Sequence, residues 1–383
     1  MNQSRREFLA GAGAMAAASA AAGLAGCANS AVPRNLEAKG EMRAVLLHLG
    51  HNMWCDWFPP EMDQELAELR RNYNLKRSPL PDVKLRTNAV LWREATEHAA
   101  ARGMNMIVID IGEGLVFPSH PELAITGSWT PDEMRSEIVR LNALGLEVVP
   151  KLNFSTTHNG WLKHYRRMLS TPTYYKVCED LIADVAEIFG RPRLFHIGFD
   201  EETAIHQDNS GRALFITVRK GECWWHDLMH IVRTSERNGM RPWMWSDYGW
   251  DHPEFYTRCP KSVLMSNWYY DEANGGFDLA TNKTNDHKRL KAFYDLDSAG
   301  FDQTPCGTNW AGWGRERDGV GADDVMGRLV KLGREVISDK HLKGFMMASW
   351  ASCDTRKNLD FVTRGIDLLA DALDGKIAPL NKM

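Results

Sequence analysis

Arg193-Leu194-Phe195-His196-Ile197-Gly198-Phe199-Asp200-Glu201-Glu202 decides how this chain is read. An apolar run ends abruptly in three consecutive carboxylates. At the two-residue period of a strand, Leu194, His196, Gly198 and Asp200 share one face, and Phe195, Ile197 and Phe199 the other. One face is small and polar; the other is wholly apolar. The pattern predicts a barrel strand whose outer face packs under helices and whose inner face leads to a site at its carboxyl end. Neighbouring carboxylates repel one another and burial raises a carboxyl pKa further, so an acid can be kept protonated near neutrality and donate its proton. A solvated acidic loop is the alternative, and His196 and Gly198 on the inward face argue against it.

Working outward, the chain alternates strand and helix. Strands are expected at 43–49, 104–111, 146–152, 194–200, 241–247, 262–269, 301–309 and 344–350. Helices are expected near 85–102, from the Thr130-Pro131-Asp132-Glu133 start to Gly145, and over 161–189, 221–238, 288–298, 323–337 and 359–373. Between strands five and six there is room only for a poorly formed helix near 254–258. Eight strands alternating with helices, with no linker, predict a single-domain (β/α)8 TIM barrel over 43–383. A doubly wound open sheet is less consistent, because no glycine-rich phosphate loop follows the first strand.

With 383 residues, 44% of them hydrophobic, the chain can bury a large core. A net charge of −4 with scattered Lys and Arg gives no basic stripe for nucleic acid. The fourteen tryptophans are informative, because several stand at strand ends. Barrel enzymes keep their chemistry at those ends. Reading them in order gives Asp110 and Glu113, then Asn153 and His158, then Asp200, Glu201 and Glu202. Trp245 and Asp247 follow, then Trp268, Tyr269, Tyr270 and Asp271, then Asn309 and Trp310, then Trp350 and Asp354. Tryptophans among hydroxyl-binding groups describe a carbohydrate pocket, since apolar sugar faces stack on aromatic rings. A two-carboxylate glycosidase needs a partner for its acid, yet strand seven ends Cys306-Gly307-Thr308-Asn309-Trp310, without one. Either Asp247 or Asp271 serves, or the substrate supplies its own nucleophile. In the second case the Asp beside the Glu would hold a 2-acetamido group whose oxygen attacks the anomeric carbon.

His196-Ile197-Gly198-Phe199-Asp200-Glu201 resembles the His-x-Gly-x-Asp-Glu motif of family 20 glycoside hydrolases, the β-N-acetylhexosaminidases. His120-Pro121-Glu122-Leu123, Thr130-Pro131-Asp132-Glu133 and Val148-Val149-Pro150 look like the stretch leading into that family's third strand. The resemblance implies Glu201 as general acid/base and Asp200 as the residue that orients the acetamido group and stabilises an oxazolinium-like intermediate. It implies His196 as support from within the barrel. Arg43, His158, Trp245, Asp247, Trp268, Tyr269, Tyr270, Trp310 and Trp350 are the expected substrate-binding residues, with Tyr269 or Tyr270 on the acetamido oxygen. The expected partner is an N-acetylhexosamine-containing glycan. The chain departs from the family where Lys151 and Asn153 replace acidic residues, where Thr156-Thr157-His158 replaces Pro-Gly-His, and where Ser352 replaces Glu. The catalytic pair is kept and the hydroxyl grip is changed. A non-catalytic carbohydrate-binding protein on the same barrel is therefore the competing reading.

The amino terminus carries a different signal. Ser4-Arg5-Arg6-Glu7-Phe8-Leu9 precedes a weakly apolar Ala/Gly run shorter than the ~20 residues a membrane span needs. The run ends in Leu24-Ala25-Gly26-Cys27. This resembles a twin-arginine export signal joined to a lipoprotein box. It implies a signal over 1–27, a tether over 28–42, lipidation of Cys27 and a membrane-anchored periplasmic or cell-surface protein. Neither the six later cysteines nor His48-Leu49-Gly50-His51 has convincing metal-ligand spacing, and no cofactor is expected.

Overall fold

A computed structural model describes residues 40–55, 81–207, 215–270, 279–280, 287–310 and 325–376. The expected signal, the tether up to residue 39, Cys27 and Asp271 lie outside the described residues. In chain order the elements are β1 (Met42–His48), α1 (Ala89–Ala101), β2 (Met106–Asp110), α2 (Pro131–Ala143), β3 (Glu147–Lys151) and α3 (Pro172–Ile188). There follow β4 (Leu194–His196), the single turn α4 (Ala204–Gln207), α5 (Glu222–Arg237), β5 (Arg241–Trp245), α6 (Phe255–Arg258) and β6 (Leu264–Ser266). The last are α7 (His287–Ser298), β7 (Cys306–Gly307), α8 (Val325–Val336), β8 (Gly344–Ser352) and α9 (Arg356–Leu373).

All strand pairs are parallel, in the order β6-β5-β4-β3-β2-β1-β8-β7. The β6 and β7 segments close the ring through Thr304 N–H to Met265 O (2.8 Å), Cys306 N–H to Asn267 O (3.0 Å) and Tyr269 N–H to Cys306 O (3.3 Å). The fold is the expected (β/α)8 barrel. Strand alternation divides its core in two. Met42, Ala44, Leu46, Met106, Val108, Val149, Leu194, Trp243, Met346 and Ala348 fill the barrel interior. Val45, Leu47, Ile107, Ile109, Phe195, Ile197 and Phe199 face the helices. The opening stretch therefore points its two faces as its period requires.

Local signals explain most boundaries. Thr130 caps α2 through a capping box with Glu133, and Pro131 opens its first turn. The helix expected over 161–189 instead begins at Pro172, capped by Thr171. The preceding 160–167 is 3-10 turn broken at Lys163, which has φ 51°. Strands four, six and seven are shorter than expected: β4 and β6 end at His196 and Ser266, where the chain turns into the loops of the site, and β7 keeps only Cys306–Gly307. The six described cysteines are free thiols, and only Cys223 is exposed. No described helix is long and apolar enough to cross a membrane.

Candidate active site

The site begins as a row of inward side chains near the carboxyl ends of four adjacent strands. His48 stands opposite Asp110, Asp110 opposite Lys151, and Lys151 opposite His196. All four are buried. Lys151 Nζ donates to Asp110 Oδ2 at 2.5 Å, and His48 Nδ1 lies 3.3 Å from the same oxygen. Burial alone would raise the Asp110 pKa; the charge of Lys151 and the contacts of His48 outweigh it and hold Asp110 well below the usual range. His196 Nδ1 accepts the N–H of Gly198 at 3.1 Å, which leaves the ring proton on Nε2. Burial and the charge of Lys151 keep His196 neutral. Its ring packs on Trp243 and Trp245, with centroids 5.2 and 4.7 Å away. His196 thus stands buried in the floor of the site, beside Lys151.

Above the floor the chain turns sharply. Gly198, Phe199 and Glu201 have φ of 74°, 69° and 56°. A Cβ on Gly198 would stand 2.0 Å from Asn153 Oδ1, so glycine is required there sterically and conformationally. The positive φ at Phe199 and Glu201 is backbone strain held by surrounding contacts. Asn153 Oδ1 accepts from Ser155 N–H (3.0 Å) and Phe199 N–H (3.3 Å), while its Nδ2 donates to Asp200 Oδ1 at 2.8 Å. His158 Nδ1 lies 3.2 Å from the same Asp200 oxygen, and its Nε2 lies 3.4 Å from Glu201 Oε2. Burial would raise the Asp200 pKa, but His158, Lys151 and Asn153 together bring it down to about 2. Against its own burial, His158 is shifted upward by Asp200 and Glu201. Asp200 is thus ionised at neutral pH. Both supports fall on Oδ1. Among the described residues, Oδ2 of Asp200 has no hydrogen-bond partner.

Asp247 behaves in the opposite way. Its Oδ2 accepts the N–H of Glu201 at 2.8 Å, and its Oδ1 is buried without a described partner. Burial and then the charges of Asp200 and Glu201 push its pKa up to about 8. At neutral pH it is a protonated acid that fixes the backbone of Glu201.

The opposite wall is aromatic. Trp350, with φ 55°, sits where β8 loses register with β1 between Leu46 and His48; such bulges re-aim side chains. Its Nε1 donates to Tyr270 Oη at 3.2 Å, and its ring lies 5.9 Å from Trp245 and 5.8 Å from His48. Trp268 lies 5.1 Å from Tyr270. Trp54 adds an edge 6.3 Å from His158.

The sequence reading is corrected at two positions. Arg43 starts β1 and so lies at the amino end of the barrel, away from the site. Its Nη2 donates to Asp374 Oδ1 at 2.9 Å there. Tyr269 packs in the outer core between sheet and helices, whereas Tyr270 faces the interior. Trp310 follows β7; its N–H donates to Thr308 Oγ1 at 2.9 Å, and residues 311–324 beyond it are outside the described set.

The sequence reading named Glu202 and Glu113 only as strand-end acids without a role, and it missed Arg219 and His206. Glu202 is buried, bonded to Thr156 N (3.1 Å), Thr156 Oγ1 (2.8 Å) and Arg219 Nη2. Arg219 also donates to Asp227 Oδ2 (3.0 Å) and Phe154 O (2.8 Å), tying the site loop to α5. Glu113 accepts the N–H groups of His51 (2.6 Å) and Asn52 (3.0 Å), holding the loop after β1 beside the site; burial raises its pKa to about 7. His206, on α4, flanks Glu201. Among the described residues no group of three or more His, Cys, Asp or Glu is placed to hold a metal ion.

Fold and site together define an α/β barrel with a carboxylate centre and an aromatic wall at its carboxyl end. Solved structures similar to it include β-N-acetylhexosaminidases. The enzyme from Bacteroides fragilis aligns with a TM-score of 0.57 at 12% identity, covering 86% of this chain and 65% of that one. The family 20 enzyme from Streptomyces coelicolor A3(2) aligns at 0.53 and 13%, covering 87% and 64%. The pneumococcal virulence factor StrH, solved in work on N-glycan recognition and hydrolysis, aligns at 0.52 and 12%, covering 88% and 84%. The chain spans just under two thirds of the first two proteins. At these identities the likeness is one of fold. No family model matches the chain, and no curated protein matches it.

Proposed function

We propose that this protein is a glycoside hydrolase that releases terminal β-linked N-acetylhexosamine, using the substrate's 2-acetamido oxygen as nucleophile. The observation that carries the reading is the division of labour between the carboxyl groups. Asp200 is ionised, has both protein supports on Oδ1, and presents Oδ2 to accept an acetamido N–H and to stabilise an oxazolinium charge. Asp247 is held protonated and bonded to the backbone of Glu201, which makes it a poor nucleophile. Glu201 is general acid/base: it gives its proton to the leaving oxygen as the C1–O bond breaks, then takes one from the water that opens the cyclic intermediate. Tyr270, already accepting from Trp350, has its hydroxyl hydrogen available for the acetamido oxygen. Trp245, Trp268 and Trp350 form the stacking wall. The fold-level likeness to β-N-acetylhexosaminidases supports the reaction class. The Arg5-Arg6 and Cys27 signals add export by the twin-arginine route and a lipid anchor to this proposal.

The test offers the purified protein aryl β-N-acetylglucosaminide and β-N-acetylgalactosaminide beside the corresponding glucoside and galactoside. Cleavage confined to the N-acetyl sugars, blocked by a thiazoline mimic of the cyclic intermediate, is expected. Turnover of the 2-hydroxy sugars would overturn the proposal. Glycan binding without any turnover would favour the non-catalytic reading.

A further inference from the structure

The Glu201 carboxylate stands between two imidazoles. His158, buried, faces Oε2; His206 Nε2 faces Oε1 at 3.8 Å. His206 is fixed by its own turn. Its backbone N–H donates to Thr203 Oγ1 at 3.2 Å, and that hydroxyl lies 2.7 Å from His206 Nδ1. That hydroxyl has a hydrogen to give to Nδ1, and the tautomer that accepts it there carries its ring proton on Nε2, toward Glu201. The turn is anchored on either side. Thr203 N–H donates to Glu201 O at 2.6 Å, and Thr157 Oγ1 donates to the same oxygen at 2.5 Å. Gln207 Nε2 donates to Thr156 Oγ1 (2.9 Å) and Thr217 O (2.6 Å), and Gln207 Oε1 accepts Thr217 N–H at 2.9 Å. The charged groups around this pair are Glu201 itself, His158 beyond it, Asp200 beside it, Asp247 under its amide, and the Glu202–Arg219 pair below the loop.

We infer that His206 is a positioning residue for proton donation by Glu201, an assignment that rests on the function proposed above. When Glu201 gives its proton to the leaving oxygen, the C1–O bond breaks, a bond from the acetamido oxygen to C1 forms, and Glu201 is left as a carboxylate. The Nε2–H of His206 faces the oxygen that gains this charge, while His158 faces the other. An N–H held beside one oxygen of a carboxylate restrains its plane and favours the charge that builds up on it in the transition state. His206 is partly open to solvent, so its contribution is smaller than that of Glu201 itself.

A structural role and a positioning role separate by leaving group. His206→Ala is expected to lower kcat/KM about tenfold on an N-acetylhexosaminyl disaccharide, whose leaving group needs a proton, and by no more than about twofold on a dinitrophenyl glycoside, whose leaving group does not. His206→Gln keeps an N–H donor and is expected to recover part of the loss. In a Glu201→Gln background, His206→Ala should change kcat/KM on the disaccharide by less than about twofold, because the proton donation that His206 assists is already gone. Equal losses on both substrates, or full additivity with Glu201→Gln, would overturn the inference while leaving the proposed function in place. Wild-type protein inactive on every N-acetyl substrate would overturn both.

Discussion

Asp200→Asn is the perturbation that tests the core of the reasoning. Both protein contacts of Asp200 reach Oδ1, so an Asn can keep them through its own Oδ1. What changes is the other end: an NH2 donor replaces Oδ2 and the negative charge disappears. An oxazolinium charge about 4 Å from a carboxylate is favoured by ~4 kcal/mol at an effective dielectric near 20. At about 1.4 kcal/mol per decade, losing that stabilisation slows the first chemical step by a factor of roughly a thousand. The donor facing an acetamido N–H adds to the loss. The assay is single-turnover release of an activated aryl leaving group, for which acid assistance matters little and the acetamido attack dominates. Circular dichroism and melting temperature check that the variant is folded. A folded Asp200→Asn protein within about tenfold of the wild-type rate would refute the assignment.

The remaining predictions concern the groups around that pair. Asp247→Asn keeps an acceptor for the N–H of Glu201 and should hold kcat within about tenfold at neutral pH, whereas a nucleophilic Asp247 would make the same change cost a thousandfold or more. Arg219→Met leaves Glu202 and Asp227 buried without their cation and should destabilise by about 3–5 kcal/mol, a fall in melting temperature on the order of 10 °C; a fall of under about 2 °C would show the network to be dispensable. The Asp200–His158 pair makes stability depend on pH from both sides. Asp200, depressed to about 2, contributes stability above the unfolded value near ~4 that is lost as pH falls toward 2. His158, raised, contributes stability that is full below ~6.5 and is lost as pH rises through its folded value. Melting curves across this range should show both declines, and His158→Gln should flatten the alkaline one; an unchanged alkaline decline would exclude His158 as its source.

How far the sequence could be read follows from which signals are local. Parity along the opening stretch sent Leu194 inward and Phe195, Ile197 and Phe199 outward, because a side-chain period of two leaves no other choice. The same parity discriminates Tyr270 from Tyr269: with Leu264 and Trp268 inside, an even-numbered tyrosine faces the interior. Arg43 was separable in the same way, since it opens its strand while barrel chemistry collects where strands end. What could not be read is what depends on contacts far apart in sequence. Arg219 reaches Glu202, seventeen positions earlier in the sequence, and Phe154, sixty-five positions earlier. Nothing local marks those three as one cluster. The strained φ values at Phe199, Glu201 and Trp350 are equally silent in sequence, since non-glycine residues hold them only through surrounding structure.

The changed residues on the floor of the site then take on a physical meaning. Where the family resemblance leads one to expect an acid after Pro150, Lys151 is completely buried, a position an ammonium tolerates only with a partner. Asp110 is that partner, one strand away in register, and His48 closes the row. An acid at position 151 would face Asp110 and stand below Asp200, so carboxylates would crowd a low-dielectric space and one would have to take up a proton. Lysine relieves that repulsion, and its charge is one of the causes that keep Asp200 ionised. The cost is that Asp110, engaged by Lys151 and His48, is less available to bind a sugar hydroxyl. Lysine at this floor thus favours the ionised Asp200 that the proposed acetamido mechanism requires, and it occupies a carboxylate that could otherwise meet a sugar hydroxyl. Under the proposed function, the wall beside this floor is where the rest of the sugar would be met: the rings of Trp54 and Trp350 lie 5.1 and 5.8 Å from that of His48.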